Sequence, residues 1–238
     1  GGISANGNFT NLAAGGTNNS ALVVGLNTAT AGARTGSATV NLVSTGVGTS
    51  GLADLGLGTQ TINVSGNVYQ VAAGQLNTAS FNFGTVQVGQ SVSQLLSISN
   101  IATGAAGYVE DLNARFGATS GTGANLISGT GQIANLLAGS TNASGMTVNV
   151  NTGSAATIDG AIAINFFSAG GVNGVSNGLG ELGVGSANFL VLGTIQGQVI
   201  NQAVPVINTP TIALGNVRVG DTAPTQFVSV TNQATVAP

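Results

Sequence analysis

The chain has 238 residues, of which only 3 are arginine and 6 are aspartate or glutamate, and it has no lysine, histidine or cysteine. Nucleic-acid backbones and anionic membranes are bound by clustered cations, so this composition excludes both kinds of binding. Without those three residue types, Ser-His-Asp and Cys-His catalytic sets, Schiff-base lysines, disulfides and thiolate metal sites are also excluded.

Hydrophobic residues make up 42% of the chain and glycine supplies 39 positions. This mixture is sufficient for a core and is typical of short strands joined by tight turns. No apolar run reaches the roughly 18 residues of a transmembrane helix, so none is predicted. The chain does not start with methionine, which indicates a processed product or a fragment.

Internal repetition is the strongest signal in the sequence. The segment ISANGNFTNLAAGGTN from Ile3 to Asn18 aligns with ISGTGQIANLLAGSTN from Ile127 to Asn142, and GSATVNLVS at Gly36 aligns with GAIAINFFS at Gly160. A second alignment joins FNFGTVQVGQSVSQLLSISN, which begins at Phe81, to IALGNVRVGDTAPTQFVSVTN. The chain is therefore predicted to carry parts of three copies of one unit.

Taken in order, these copies divide the chain into three parts. Residues 1–78 are the back part of one unit, residues 79–206 are a complete unit, and residues 207–238 are the first two strands of a following unit. Alternation of apolar and polar residues in the complete unit predicts about seven short strands, with a register change near Gly84. The residues expected to face its core are Val148, Val150, Ile162, Ile164, Phe166, Leu190 and Leu192.

The repeated opening FGTVQVGQSVSQLLSISN resembles the abnormal-spindle/hydin class of immunoglobulin-like domains, in the bacterial versions found in choice-of-anchor surface proteins. The shared pattern is a Gly-x-Val-x-Val-Gly turn followed by a strand that ends in asparagine, here Asn100 and, in the next copy, Asn232. The resemblance implies an all-β fold of tandem immunoglobulin-like antiparallel β-sandwiches and an exported, modular, structural role. It implies no catalytic residues.

Few residues are candidates for chemistry. Glu110 and Asp111 are adjacent, and a solvated edge or loop is the favoured interpretation over a catalytic carboxylate pair. The stretch GLGELG, which begins at Gly178, matches G-x-G-x-x-G, but a strand-like segment follows it, so a glycine-rich loop is favoured over nucleotide binding. Asp54 and Glu181 occupy equivalent places in two copies and are weak candidates for a calcium site. No catalytic residue and no cofactor is predicted.

The ends of the sequence suggest an assembly mechanism. The C-terminal strands of one subunit are expected to complete the N-terminal part of the next, giving a head-to-tail homopolymer by strand addition. The predicted donor residues are Val217, Val219, Phe227 and Val230, and the predicted acceptor residues are Leu22, Val24, Val40, Leu42, Ile62 and Val64. The composite unit, formed by the C-terminal strands of one subunit and the N-terminal part of the next, would lack a counterpart of residues 107–126. The same units joined covalently in a longer array remain an alternative.

Two classes of function follow from these patterns. The first is a structural subunit of an extracellular filament, sheath or surface layer, with the chain itself as partner. The second is a stalk or adhesive binding module of a large repetitive bacterial surface protein. Both place the protein outside the cell or on its surface.

Overall fold

The computed structural model of the chain describes residues 2–197 and 203–233. Almost all regular structure in these ranges is β-strand, and the one helical element among them is a 3₁₀ turn, η1 (Ala124–Leu126). The all-β prediction is therefore confirmed. Among the described residues there is no helix with the length and apolar character needed to cross a membrane.

Residues 70–197 form a central unit with one extensive hydrophobic core. Its strands are β5 (Gly74–Leu76), β6 (Ser80–Gln87), β7 (Val92–Leu95), β8 (Ile98–Asn100), β9 (Leu112–Thr122), β10 (Ile127–Gly131), β11 (Ile133–Leu136), β12 (Thr141–Asn142), β13 (Met146–Val150), β14 (Ala156–Ser168), β15 (Gly171–Val172), β16 (Val175–Ser176) and β17 (Leu182–Gln196). Ala72 and β5 precede residue 79 and contribute to this core, so its packing begins before the expected boundary of the complete unit.

Three sheets surround the core of the central unit. The largest has the order β11-β9-β14-β17-β6, and two three-stranded sheets have the orders β10-β13-β7 and β12-β8-β5. All these pairings are antiparallel except that of β6 with β17, which is parallel. A register shift in this parallel pairing lies opposite Gly84, whose φ of 66° suits glycine, so the expected register change at this position is confirmed.

The core of the central unit is formed by alternate residues of these strands. Five of the seven side chains expected to face the core are buried there, and they are Val148, Val150, Ile162, Ile164 and Phe166. Burial of each such side chain stabilises the fold by roughly 1.5–3 kcal/mol.

The prediction for β17 is wrong by one residue. Leu190 is 47% exposed and Leu192 is half-buried, whereas Phe189 and Val191 are buried. The segment NFLVL carries large apolar residues in both phases of the strand, so alternation alone does not choose a face. The ladder to β14 decides the phase, because it places Phe189 opposite the buried Ile162.

Residues 2–69, here called the head segment, form two antiparallel ribbons. One ribbon pairs β1 (Ile3–Asn6) with β2 (Val23–Leu26), and the other pairs β3 (Gly32–Ser44) with β4 (Leu55–Val68). The ribbons pack together, β1 on β3 and β2 on β4. At the contact, a Cβ added to Gly36 would lie 2.9 Å from Ile3 Cγ1, so the absence of a side chain permits the close approach.

Residues 203–233, here called the tail segment, contain one short antiparallel ribbon. It pairs β18 (Pro205–Ile207) with β19 (Val230–Asn232). The residues between these strands have no regular pairing and are largely exposed. Within the described residues, the tail segment therefore has strands but no core of its own.

Candidate assembly surface

The two ribbons of the head segment match two ladders from the back half of the central unit, β10–β13 and β14–β17. The ladder from Ile3↔Leu26 in β1–β2 corresponds to Ile127↔Val150 in β10–β13. The β3–β4 ladder corresponds to β14–β17, and each shifts register at the same place, after Leu42 in one and after Phe166 in the other. Residues that hold the same place in two of these ladders are called counterparts below.

Local backbone features support this correspondence. Asn11 and Asn135 both have a positive φ, at 58° and 52°, although neither is glycine. Asparagine tolerates this left-handed conformation better than most residues, so its presence at both places is consistent with the same loop geometry. Asn18 and its counterpart Asn142 each accept hydrogen bonds through Oδ1 from the backbone amides two and three residues later.

Between its two ribbons the head segment has a groove of about 770 Å³, here called the head groove. Its lining includes apolar side chains from β2, β3 and β4 and from the loop after β1, among them Phe9 and Leu12. Large apolar grooves that are open on a protein surface commonly mark interaction sites. The head groove is therefore the candidate acceptor surface.

The six predicted acceptor residues are the counterparts of core residues in the central unit. All but Val64 line the head groove, and in the head segment all six are half-buried or exposed. Their counterparts are at most 4% exposed. The pairs are Leu22 with Met146, Val24 with Val148, Val40 with Ile164, Leu42 with Phe166, Ile62 with Phe189, and Val64 with Val191.

The tail segment repeats the β5–β8 ribbon of the central unit. Pro205↔Asn232 in β18–β19 corresponds to Gly74↔Asn100 in β5–β8. The Oδ1 of Asn232 accepts a hydrogen bond from the amide of Val204 at 2.9 Å, as the Oδ1 of Asn100 does from the amide of Ala73 at 3.2 Å.

A second set of side-chain contacts fixes the register of the tail ribbon. Asn208 donates through Nδ2 to Ser229 Oγ at 3.0 Å and to Thr231 Oγ1 at 2.6 Å. In the central unit, Asn77 donates in the same way to two serine hydroxyls of the facing strand. The tail ribbon therefore has the central-unit geometry with the rest of the core absent from its apolar face.

The apolar residues of β19 and the preceding turn show this difference directly. Val230 is 61% exposed, whereas its counterpart Ile98 is fully buried. Val228 is 54% exposed, whereas its counterpart Leu96 is 1% exposed. Both tail residues therefore correspond to residues of the central core.

The other predicted donor residues correspond to different environments. Phe227 is 98% exposed, but its counterpart Leu95 is itself exposed in the central unit. Val217 corresponds to Val86, which packs against the core, whereas Val219 corresponds to the partly exposed Val88. The correspondence thus favours Val217, Val228 and Val230 as inward-facing residues, and Phe227 and Val219 as outward-facing ones. Sequence reasoning missed Val228 because Phe227 is the larger apolar residue.

Glu110 and Asp111 are not on a solvated edge, and that interpretation is wrong. They are 3% and 1% exposed. The carboxylate of Glu110 accepts hydrogen bonds from Ser168 Oγ and from Asn177 Nδ2. The carboxylate of Asp111 accepts from the amides of Asn173 at 3.1 Å and Gly174 at 2.7 Å.

The hydrogen bonds of Glu110 and Asp111 connect separate segments of the central unit. Asp111 closes the turn between β15 and β16, and Glu110 ties the start of β9 to the end of β14 and to the loop after β16. Buried carboxylates are retained where hydrogen bonds compensate for the lost hydration. The partners lie about 60 residues away in sequence, so no local pattern indicated the burial.

The two weak metal candidates lie in different surroundings. Glu181 forms a two-pronged ion pair with Arg115, at 2.8 and 2.9 Å, and accepts a third bond from Asn113 Nδ2 at 2.7 Å. These hydrogen bonds lower the pKa of the Glu181 carboxyl and raise that of Arg115. Asp54 lies on the lining of the head groove. No group of three or more metal-ligating side chains occurs within residues 2–197 and 203–233.

The first four residues of the G-x-G-x-x-G match lie in a loop, and its last two begin β17. Gly178 and Gly180 both have a positive φ, and the strand β17 follows them. The dinucleotide-binding motif instead requires a helix whose N-terminus faces the phosphates. The interpretation of this stretch as a glycine-rich loop is therefore confirmed.

Comparison with known protein families and with curated proteins gave no match. The resemblance to the abnormal-spindle/hydin class of immunoglobulin-like domains therefore stays a prediction.

Proposed function

We propose that the protein is a structural subunit of an extracellular filament, sheath or surface layer. Its units are immunoglobulin-like β-sandwiches, and it assembles head to tail by β-strand complementation. In this proposal the tail segment of one subunit occupies the head groove of the next. A contact between two different surfaces of the same molecule does not close on itself, so it propagates into a filament.

The observation that carries the proposal is the correspondence with the central unit. There, β5 to β8 pack against β10, β13, β14 and β17 around one core. The tail segment pairs the counterparts of β5 and β8 and contains the sequence counterparts of β6 and β7, and the head segment has the counterparts of the second group. The central unit is thus an internal template for how the two segments of different subunits fit together.

Exposed apolar surface favours the same conclusion. Side chains such as Val228 and Val230 in the tail segment and Ile62 in the head segment are exposed at places where the central unit buries them. Open strand edges and apolar faces of this kind promote association with other chains. Transfer of each large side chain into a core is worth roughly 1.5–3 kcal/mol, which is ample for a stable contact when several act together.

The composite unit would lack a counterpart of β9, and one residue of the head segment is consistent with that. Gly129 in β10 has no room for a side chain, because an added Cβ would lie 2.3 Å from the ring of Phe116 in β9. Its counterpart in the head segment is Ala5, which carries a methyl group. The head segment therefore suits a unit without that phenylalanine.

The near absence of charge is also consistent with a structural role. A surface with 9 charged residues in 238 has little electrostatic repulsion between copies. The resemblance stated above implies an exported, modular protein, which agrees with an extracellular assembly.

The test compares the full chain with three variants by negative-stain electron microscopy and by sedimentation. Removal of residues 203–238 is expected to give non-assembling subunits, and the substitution Val230→Asp is expected to do the same, because it places a charge in the core of the composite unit. The matched control Phe227→Asp should assemble like the parent, since that position faces outward. Filaments that persist after the deletion would refute the proposal.

A further inference from the structure

We infer that a size-matched contact between Leu42 and Pro205 selects the head groove as the acceptor of the tail segment and excludes the central unit. This inference rests on the proposed function and adds to it the residues that determine which groove is filled. The head groove and the central unit have corresponding strands, so the tail segment must distinguish one from the other.

The central unit contains the contact in its other form. Gly74 in β5 faces Phe166 in β14, and a Cβ added to Gly74 would lie 2.3 Å from Cγ of the phenylalanine ring. The φ of Gly74 is not positive, so lack of space rather than backbone conformation requires glycine there. Any larger residue at this place would displace the ring or the strand.

The tail segment has a larger residue at this place. Pro205 pairs with Asn232 as Gly74 pairs with Asn100, and the Asn208 and Asn232 side chains hold the same register as their counterparts. Pro205 therefore projects its ring where Gly74 has only a hydrogen. A central unit with Phe166 in place has no room for that ring.

The head segment has a smaller residue on the facing side. Leu42 lies opposite Gly58 as Phe166 lies opposite Gly185, and the ladder shifts register directly after each. Leu42 lines the head groove and lacks the aromatic ring. The composite unit thus has the pair Pro205 and Leu42 at the place where the central unit has the pair Gly74 and Phe166.

In each pair, the small and large residues match in volume: Gly74 with Phe166, and Pro205 with Leu42. Bringing Pro205 against Phe166 would cause a steric clash. The tail segment cannot displace β5 from the central unit without a clash between Pro205 and Phe166. The same tail segment fits the head groove, where leucine leaves space. This arrangement favours insertion of the tail segment into a head groove over its insertion into a central unit.

The experiment measures the critical concentration for assembly of the full chain in four variants. Leu42→Phe restores the ring and is expected to raise the critical concentration about tenfold or more, the effect of an overpacked contact. Pro205→Gly alone should assemble within a few-fold of the parent. The double variant Leu42→Phe/Pro205→Gly recreates the central pair and should recover most of the loss. The control Leu55→Phe makes the same substitution at an exposed position outside the lining of the head groove and should have little effect.

The outcomes distinguish a failure of the inference alone from a failure of the proposed function. If the parent chain assembles but Leu42→Phe behaves like Leu55→Phe, the inference is overturned while strand complementation stands. If Leu42→Phe blocks assembly and Pro205→Gly does not rescue it, the size match is again refuted. If the parent chain does not assemble, the proposed function fails, and the inference fails with it. Rescue in the double variant also shows that the substituted head segment folds.

Discussion

Substitution of Asn100 by alanine is predicted to be the most damaging single polar change in the central unit. Asn100 is 1% exposed. Its Nδ2 donates to the carbonyls of Glu110 and Leu136 at 3.0 and 3.1 Å, and its Oδ1 accepts from the amides of Ala73 and Ala102 at 3.2 Å. One side chain therefore links the segment before β5, the end of β8, the start of β9 and the end of β11.

The expected loss follows from the four backbone groups that lose their partner. Each buried polar group left without a hydrogen bond costs roughly 1–3 kcal/mol, so about 4 kcal/mol is a conservative total. With a urea m-value of about 2 kcal/mol/M, the unfolding midpoint should fall by about 2 M. Far-ultraviolet circular dichroism of the full chain follows the transition, because the protein has no tryptophan.

The matched control is Asn77→Ala, which also removes an asparagine that bridges two strands. Asn77 is exposed and donates to two serine hydroxyls that water can serve equally well, so its loss should cost no more than about 1 kcal/mol. A midpoint for Asn100→Ala within about 0.5 M of that of Asn77→Ala would refute the reasoning.

Three further predictions concern other contacts. Gly129→Ala should lower the free energy of unfolding by about 1–3 kcal/mol through collision with Phe116, and Phe116→Leu in the same chain should recover part of that loss in urea titrations; equal stability of Gly129→Ala and the parent would contradict this. Asp111→Ala should cost about 2 kcal/mol and speed amide exchange at Asn173 and Gly174, which lose their acceptor; unchanged exchange there would count against it. The lowered pKa of Glu181 means that its contribution to stability is present above the unfolded-state pKa of about 4.3 and is lost as pH falls through the folded-state pKa. The difference in stability between the parent and Glu181→Gln should therefore shrink below pH 4. A difference that grows there would be inconsistent with the ion pair.

The sequence predicted the all-β character and the correspondence between the ladders, because the aligned segments have similar residues at matching positions. The sequence alignment of Ile3 with Ile127, for example, agrees with the β-ladders, in which Ile3 pairs with Leu26 and Ile127 pairs with Val150. Period-two alternation was decisive only where one phase was polar, as in β13. It failed at Leu190 because both phases of β17 are apolar, and only the ladder to β14 resolves them.

The sequence alignment was sufficient to find side chains that line the head groove, but it did not give the register of the tail ribbon. The tail segment has one more residue than its counterpart between Gly220 and Asn232, so a large side chain such as Phe227 attracts the alignment. The hydrogen bonds of Asn208 fix the register instead, and they make Val228 the counterpart of the buried Leu96. The burial of Glu110 was unpredictable for a related reason, since its partners Ser168 and Asn177 lie far along the chain.

An engineered disulfide tests the central claim most directly, because the chain contains no cysteine of its own. In the central unit Thr147 pairs with Leu95, and their counterparts are Val23 in the head segment and Phe227 in the tail segment. Facing residues of antiparallel strands lie within the Cα separation that a disulfide spans. The full chain with Val23→Cys and Phe227→Cys should give a ladder of dimers, trimers and larger species on non-reducing gels, and Val23→Cys with Val228→Cys should give far less. No ladder with the first pair, or equal ladders with both, would contradict strand complementation between subunits.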